Sequence, residues 1–147
     1  MGSRLRNNLF NTGRMRDITK IIIHCAATRE GQNVKTSTIR KWHVEGRGWS
    51  DIGYHYVIEL DGKVVEGRPL ERRGAHTRKM NTCSVGICYI GGVDEDLKPK
   101  DTRTPEQREA MLELIAGLQE KFPKAKLHGH NEFANKACPS FNVQTEL

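Results

Sequence analysis

The sequence predicts an α/β fold, in which a single domain has a mixed central β-sheet with helices packed on it. Apolar runs of strand length alternate with amphipathic stretches of helical period, in the order β-α-β-β-β-α-β. No internal repeat, low-complexity stretch or linker divides the chain. A length of 147 residues also fits one domain with a sufficient core.

The first half of the chain predicts a strand, a short helix and a hairpin. Residues 18–24 form a β-branched run that is apolar enough for a buried central strand and ends on His24. Residues 36–38 offer hydroxyl N-caps for a helix whose spaced positions are Ile39, Trp42, His43 and Gly46. Residues 54–60 and 63–66 flank Asp61-Gly62, a pair typical of two-residue hairpin turns.

The second half predicts another buried strand, the longest helix and a last short strand. Residues 84–90 are apolar and end at a glycine pair. Residues 104–107 combine an N-cap, a proline at the first helical position and a capping-box glutamine. An apolar stripe with the 3.6-residue period follows, formed by Met111, Leu114, Ile115, Leu118 and Phe122. Residues 125–127 predict the strand that delivers His128 and His130 to its end.

We expect an N-terminal arm over residues 1–17 and the functional domain over 18–147. The first residues are basic but are followed by asparagines, so they do not resemble a secretory signal and predict synthesis in the cytoplasm. No apolar run approaches the roughly 20 residues that span a bilayer, which predicts no membrane insertion.

The charge and cysteine content narrow the function classes. A net charge of +6 favours polyanionic partners, but the basic residues are scattered, which disfavours a nucleic-acid- or polymerase-binding protein. None of the four cysteines, Cys25, Cys83, Cys88 and Cys138, forms a C-x-x-C pair. Cys83 and Cys88 lie about 16 Å apart in an extended strand, too far for a disulfide. Most of the cysteines are therefore expected to be small core residues.

Polar side chains that suit a metal follow two of the predicted strands. His24 ends the first strand, and the segment from His128 to Cys138 follows the last. Imidazole and thiolate both bind zinc, and three protein ligands with one open position are typical of a hydrolytic site. A histidine after an apolar strand is nevertheless more often a core or rim residue, so spacing alone leaves both interpretations open.

Four segments in sequence order make the chain resemble the phage-lysozyme type of N-acetylmuramoyl-L-alanine amidase. They are 23–28 (IHCAAT), 48–56 (GWSDIGYHY), 85–88 (VGIC) and 136–141 (KACPSF), and the resemblance covers residues 19–141. It implies a fold shared with peptidoglycan recognition proteins and one zinc ion. It also implies hydrolysis of the amide between N-acetylmuramic acid and L-alanine in bacterial peptidoglycan, as in an endolysin acting as a monomer on the cell wall.

The resemblance also implies the metal ligands, which would be His24, His130 and Cys138. The family's second histidine lies six residues before a lysine and eight before the cysteine, and His130 satisfies this count. His128 is the alternative that the count disfavours. A non-catalytic peptidoglycan-binding module is the second candidate function, but such relatives typically lose the cysteine that is present here as Cys138.

Three further site residues follow from the same resemblance. Tyr54 matches the active-site tyrosine and would position water or transfer a proton, while Lys136 matches the active-site lysine and would stabilise the oxyanion. His76 matches a position facing the substrate cleft, although solvent exposure remains the alternative. His43 and His55 are assigned outside the site, since His55 alternates with Tyr54 and His43 lies on the predicted helix. Cys25 should likewise face away from His24 and pack beneath the sheet.

Overall fold

The computed structural model describes residues 15–147, and its elements follow the predicted order. The strands are β1 Lys20–Cys25, β2 Thr28–Arg29, β3 Tyr56–Ile58, β4 Val64–Glu66, β5 Ser84–Tyr89, β6 Gly92–Val93 and β7 Lys126–Gly129. The α-helices are α1 Thr36–Lys41, α2 Pro105–Lys121 and α3 Val143–Glu146. A π-helical turn covers Trp42–Gly46, and 3₁₀ turns cover Asn81–Cys83 and His130–Glu132.

The central sheet has five strands in the order β4-β3-β5-β1-β7. β1 lies between β5 and β7 and is parallel to both, whereas β4 pairs antiparallel with β3 as the edge hairpin. The predicted α/β class with a mixed sheet is thus confirmed. β2 and β6 form a separate two-stranded sheet that was not predicted. Because the three inner strands are parallel, their carboxyl ends lie at the same edge of the sheet.

The two faces of the sheet bury separate apolar clusters. The larger one contains the predicted stripe of α2 together with Ile21, Ile23 and Cys25 from one face of β1. The smaller one contains Ile39 of α1 with Val57 of β3. Cys25 therefore packs beneath the sheet as predicted, and His24, its neighbour in the strand, faces the other side.

The start of α2 is formed as the sequence predicts. Thr104 Oγ1 accepts a hydrogen bond from the Gln107 N–H, and Gln107 Oε1 accepts one from the Thr104 N–H. The Gln107 amide is fully buried, and its Nε2 also donates to the carbonyls of Ile58 (3.1 Å) and Ile90 (3.0 Å). The cap therefore also joins the helix to the ends of two strands.

The start of α1 differs from the prediction. Its N-cap residue is Lys35, which makes no side-chain cap, and none of the hydroxyls of residues 36–38 caps the helix. The buried Glu59 carboxylate instead accepts hydrogen bonds from Thr36 N (2.8 Å) and Thr36 Oγ1 (2.7 Å). Burial by itself raises the pKa of Glu59, but the hydrogen bonds from Thr36 and the nearby ammonium of Lys35 outweigh it and lower this pKa.

Glu59→Gln is expected to lower the free energy of unfolding by about 1–2 kcal/mol at pH 7, because a neutral amide is a weaker acceptor at a helix N-terminus. The Glu59 pKa is lower in the folded state, so its contribution is full above the ordinary value of 4.5 and is lost as the pH falls through the folded value. Urea unfolding at pH 7 and pH 3 measures the free energy of unfolding of both proteins. The difference between Glu59→Gln and the unaltered protein should be smaller at pH 3. Glu113→Gln on the exposed face of α2 is the control, and an equal loss at both pH values would contradict the assignment.

Residues 1–14, most of the expected arm, lie outside the described part of the chain. Met15 packs against the larger cluster, and the Arg16 guanidinium donates to the carbonyls of Leu70 (3.0 Å), Asn81 (3.0 Å) and Ser84 (3.1 Å). The last residues of the expected arm therefore belong with the domain. Within residues 15–147, none of the helices is both long and apolar enough to cross a bilayer.

Candidate functional site

The three predicted metal ligands meet at the carboxyl edge of the sheet. His24 is the penultimate residue of β1, and His130 directly follows β7, which pairs with β1. Cys138 comes from the loop that follows. One nitrogen or sulfur atom of each of these three residues lies within 4.8 Å of the others.

Hydrogen bonds to the body of the domain hold the Cys138 loop in place. The Pro139 carbonyl accepts from the Tyr89 hydroxyl (2.6 Å), and Ser140 Oγ donates to the Gly92 carbonyl (2.7 Å). Cys138 Sγ accepts from the Cys25 N–H at 3.2 Å. Contact with the Cys25 thiol, followed by burial, raises the pKa of the Cys138 thiol, and this backbone donor only partly opposes the rise. A metal bound there would displace the thiol proton.

The nitrogens of the two histidines fit a metal site. His24 Nδ1 lies 3.8 Å from Cys138 Sγ. The other ring nitrogen of His24, Nε2, lies 2.8 Å from His76 Nδ1. His130 Nδ1 is buried and has no hydrogen-bond partner among the described residues. Burial lowers the pKa of both imidazoles, and the charge of Lys136 lowers it further. Neutral imidazoles next to a cysteine are a ligand set that zinc accepts.

His128, the alternative ligand, lies outside this group. Its Nδ1 is 2.9 Å from Glu132 Oε1, and its ring packs edge-on against Phe133. Both contacts lie near the surface. The structure therefore brings His130, and not His128, together with His24.

Tyr54 and Lys136 border the same cavity, which has a volume of about 280 Å³. The Tyr54 ring centroid lies 5.2 Å from that of His24. Burial, followed by the nearby thiols of Cys88 and Cys138, raises the pKa of the Tyr54 phenol well above its usual range. At neutral pH this group is therefore an O–H donor, whereas Lys136 brings an exposed cation to the same cavity.

His76 borders the cavity, but its ring nitrogens face the protein. Nδ1 lies 2.8 Å from His24 Nε2, and Nε2 lies 3.3 Å from Ser84 Oγ. A hydrogen bond from His76 to a substrate would require one of these contacts to break. His55 lies outside the cavity as predicted, since its Nδ1 accepts from the Gly86 N–H at 3.0 Å.

The prediction was wrong for His43, which lines the cavity. Its Nδ1 accepts from the Gly53 N–H at 2.9 Å, and its ring lies 4.7 Å from Trp49 and 5.6 Å from Tyr54. The π-helical turn, which a regular helical period does not reveal, places His43 there. Its proximity to the 48–56 segment was the one signal in the sequence that could have indicated this position.

A second cavity of about 520 Å³ continues the first along the surface. The two share Arg47, Trp49, Ala75, His76, His130 and Lys136. The Arg47 guanidinium lies over the Trp49 ring, 5.2 Å from its centroid. Together the cavities form an open groove with an aromatic wall and a cationic rim, suited to an extended substrate that carries carboxylates.

Comparisons with known proteins agree on one family. The family model described as N-acetylmuramoyl-L-alanine amidase matches residues 14–141. The endolysin of Escherichia phage T7 is 42% identical over 124 residues, which cover 84% of this chain and 82% of that protein.

Solved structures have the same fold. The N-acetylmuramoyl-L-alanine amidase LysC from Clostridium intestinale gives a TM-score of 0.76 at 29% identity, covering 89% of this chain and 82% of its own. Drosophila PGRP-LB gives 0.70 at 28% identity, covering 87% and 82%. The family match, the phage relative and these structures together show that the chain belongs to the N-acetylmuramoyl-L-alanine amidase family and is a peptidoglycan amidase.

Proposed function

We propose that His24, His130 and Cys138 hold a single zinc ion, with which this amidase hydrolyses the bond between N-acetylmuramic acid and L-alanine in bacterial peptidoglycan. The observation that carries the proposal is the approach of the three ligand atoms to within 4.8 Å of one another. The buried His130 Nδ1, which has no other partner among the described residues, supports it. All three ligands come from one chain, so a monomer is sufficient to bind the metal.

The residues around the ligands supply the rest of the chemistry. When bound, zinc would polarise the scissile carbonyl and make water a better nucleophile at neutral pH. We assign the Lys136 ammonium to stabilising the negative charge that develops on the carbonyl oxygen. We assign the neutral Tyr54 hydroxyl to positioning water or passing a proton to the leaving nitrogen.

The groove supports a cell-wall polymer as the substrate. Arg47, Arg78 and Lys136 line it with positive charge, which complements the carboxylates of a stem peptide. Trp49 offers an aromatic face for a sugar or peptide segment. A net charge of +6 also favours approach to an anionic wall.

Metal removal from the purified enzyme, followed by digestion of peptidoglycan sacculi, tests this function. Untreated enzyme should release new L-alanine amino termini without new reducing sugar ends. Treatment with a zinc chelator should abolish the release, and added Zn²⁺ but not Mg²⁺ should restore it. New reducing ends would indicate glycosidase chemistry instead, and full turnover of the metal-free sample would contradict the metal mechanism.

A further inference from the structure

A chain of hydrogen bonds links β5 to the side of His24 that faces away from Cys138. Ser84 Oγ lies 2.7 Å from the Met80 carbonyl oxygen and 3.3 Å from His76 Nε2. His76 Nδ1 lies 2.8 Å from His24 Nε2. Ser84 and His24 are buried, so few competing hydrogen bonds from solvent are available to them.

The carbonyl at one end sets the direction of every bond in this chain. A carbonyl oxygen only accepts, so the single Ser84 hydroxyl proton points to Met80. Ser84 Oγ then accepts from His76, which places the His76 proton on Nε2 and leaves Nδ1 as an acceptor. His24 must therefore carry its own proton on Nε2. Its Nδ1, on the Cys138 side, is left with a free lone pair.

Thr77 agrees with this direction. Its Oγ1 lies 2.9 Å from His76 Nδ1 and 3.2 Å from His24 Nε2. The hydroxyl can donate to the former and accept from the latter, so Thr77 fits the two tautomers that the Met80 carbonyl sets. The reversed direction would leave the Ser84 oxygen and the Met80 carbonyl 2.7 Å apart with no proton between them.

The backbone of β5 is shaped to receive the His76 ring. A Cβ at Gly86 would lie 2.5 Å from His76 Cδ2 and 2.6 Å from Cγ, closer than packed carbon atoms approach. A Cβ at Gly74 would also lie 2.5 Å from Cδ2. Ser84 and Gly86 share the face of β5 that lies beside Ile22 and His24 of β1. The ring is therefore held between His24 and Ser84 by packing as well as by hydrogen bonds.

We propose that Ser84 and His76 are positioning residues, which hold His24 in its Nε2–H tautomer so that the Nδ1 lone pair is ready for the metal. Neither residue needs to touch substrate or metal in this role. The role of this tautomer in binding metal rests on the proposed zinc function. The tautomer itself is a property of the metal-free protein. Loss of such a supporting group typically weakens metal binding by about 10–100-fold.

Long-range ¹H–¹⁵N NMR spectra of the metal-free protein, labelled with ¹⁵N-histidine, test the tautomers directly. We expect both His24 and His76 to carry the proton on Nε2 in the unaltered protein. In Ser84→Ala, we expect His76 to show a mixture of tautomers. A proton on Nδ1 of either histidine in the unaltered protein would overturn the proposal.

Zinc affinity, measured by competition with a chromophoric chelator, gives the second readout. Ser84→Ala should raise the zinc Kd by about 10–100-fold, and Ser84→Thr, which keeps the hydroxyl, should restore part of the affinity. Thr28→Val is the matched control, because it removes a buried hydroxyl that bonds the Gly91 N–H outside this chain. An unchanged Kd in Ser84→Ala would contradict the positioning role. If the unaltered protein bound no zinc, the proposed function would fail, while the metal-free spectra would still decide the tautomers.

Discussion

Cys138→Ser is expected to reduce bound zinc from about one ion per chain to near zero and to lower amidase turnover to background. A serine hydroxyl stays protonated at neutral pH and cannot replace the charge or the softness of a thiolate. The remaining histidines would supply only two ligands, one from β1 and one from the 3₁₀ turn after β7. The loss should therefore exceed the roughly 10–100-fold effect of removing a group that only supports a ligand.

Cys83→Ser is the matched control for this variant. Cys83 lies in the 3₁₀ turn before β5, and its thiol contacts the Met80 carbonyl, which a serine hydroxyl can also reach. Zinc content and turnover should both stay near those of the unaltered protein. Stoichiometric zinc in Cys138→Ser would remove Cys138 from the ligand set.

Tyr54→Phe is expected to keep the zinc and lower kcat by about 10²–10³-fold, with a smaller change in KM. The phenylalanine ring preserves the packing beside His24 and His43, so the substitution removes only the hydroxyl. Elemental analysis and steady-state turnover on a soluble muramyl peptide measure the two quantities separately. An unchanged kcat would exclude Tyr54 from the chemistry, and loss of zinc would mean that its role is structural.

Lys136→Ala provides the comparison for Tyr54→Phe. Lys136 lies at the exposed rim, and its charge acts on both histidines without being a ligand. This variant should also retain zinc and turn over slowly. Loss of metal in Lys136→Ala would contradict its assignment to the oxyanion.

The fold was predictable where the signals are local. The capping residues at 104–107 and the apolar stripe after them determine α2, and the observed helix begins at the predicted proline. The start of α1 was not predictable in the same way, because its acceptor is Glu59, more than 20 residues further along the chain. The hydroxyls of residues 36–38 fit the sequence pattern of N-caps, but the sequence does not show that Glu59 contacts this end of the helix.

The clustering of the three proposed ligands was predictable from the sequence, but their surroundings were not. His24, His130 and Cys138 follow from motifs, whereas the link from Ser84 through His76 to His24 depends on the pairing of β5 with β1. His43 was missed because a π-helical turn changes which face of the helix it occupies. Side chains that support a ligand leave no spacing rule in the sequence, because different elements bring them together.

Zinc-edge X-ray absorption of the loaded enzyme tests the proposed ligand set, since it counts the donor atoms around the metal. We expect one sulfur at about 2.3 Å, two imidazole nitrogens at about 2.0–2.1 Å and one further light atom from solvent. A second sulfur, or a site without sulfur, would contradict the proposed ligand set.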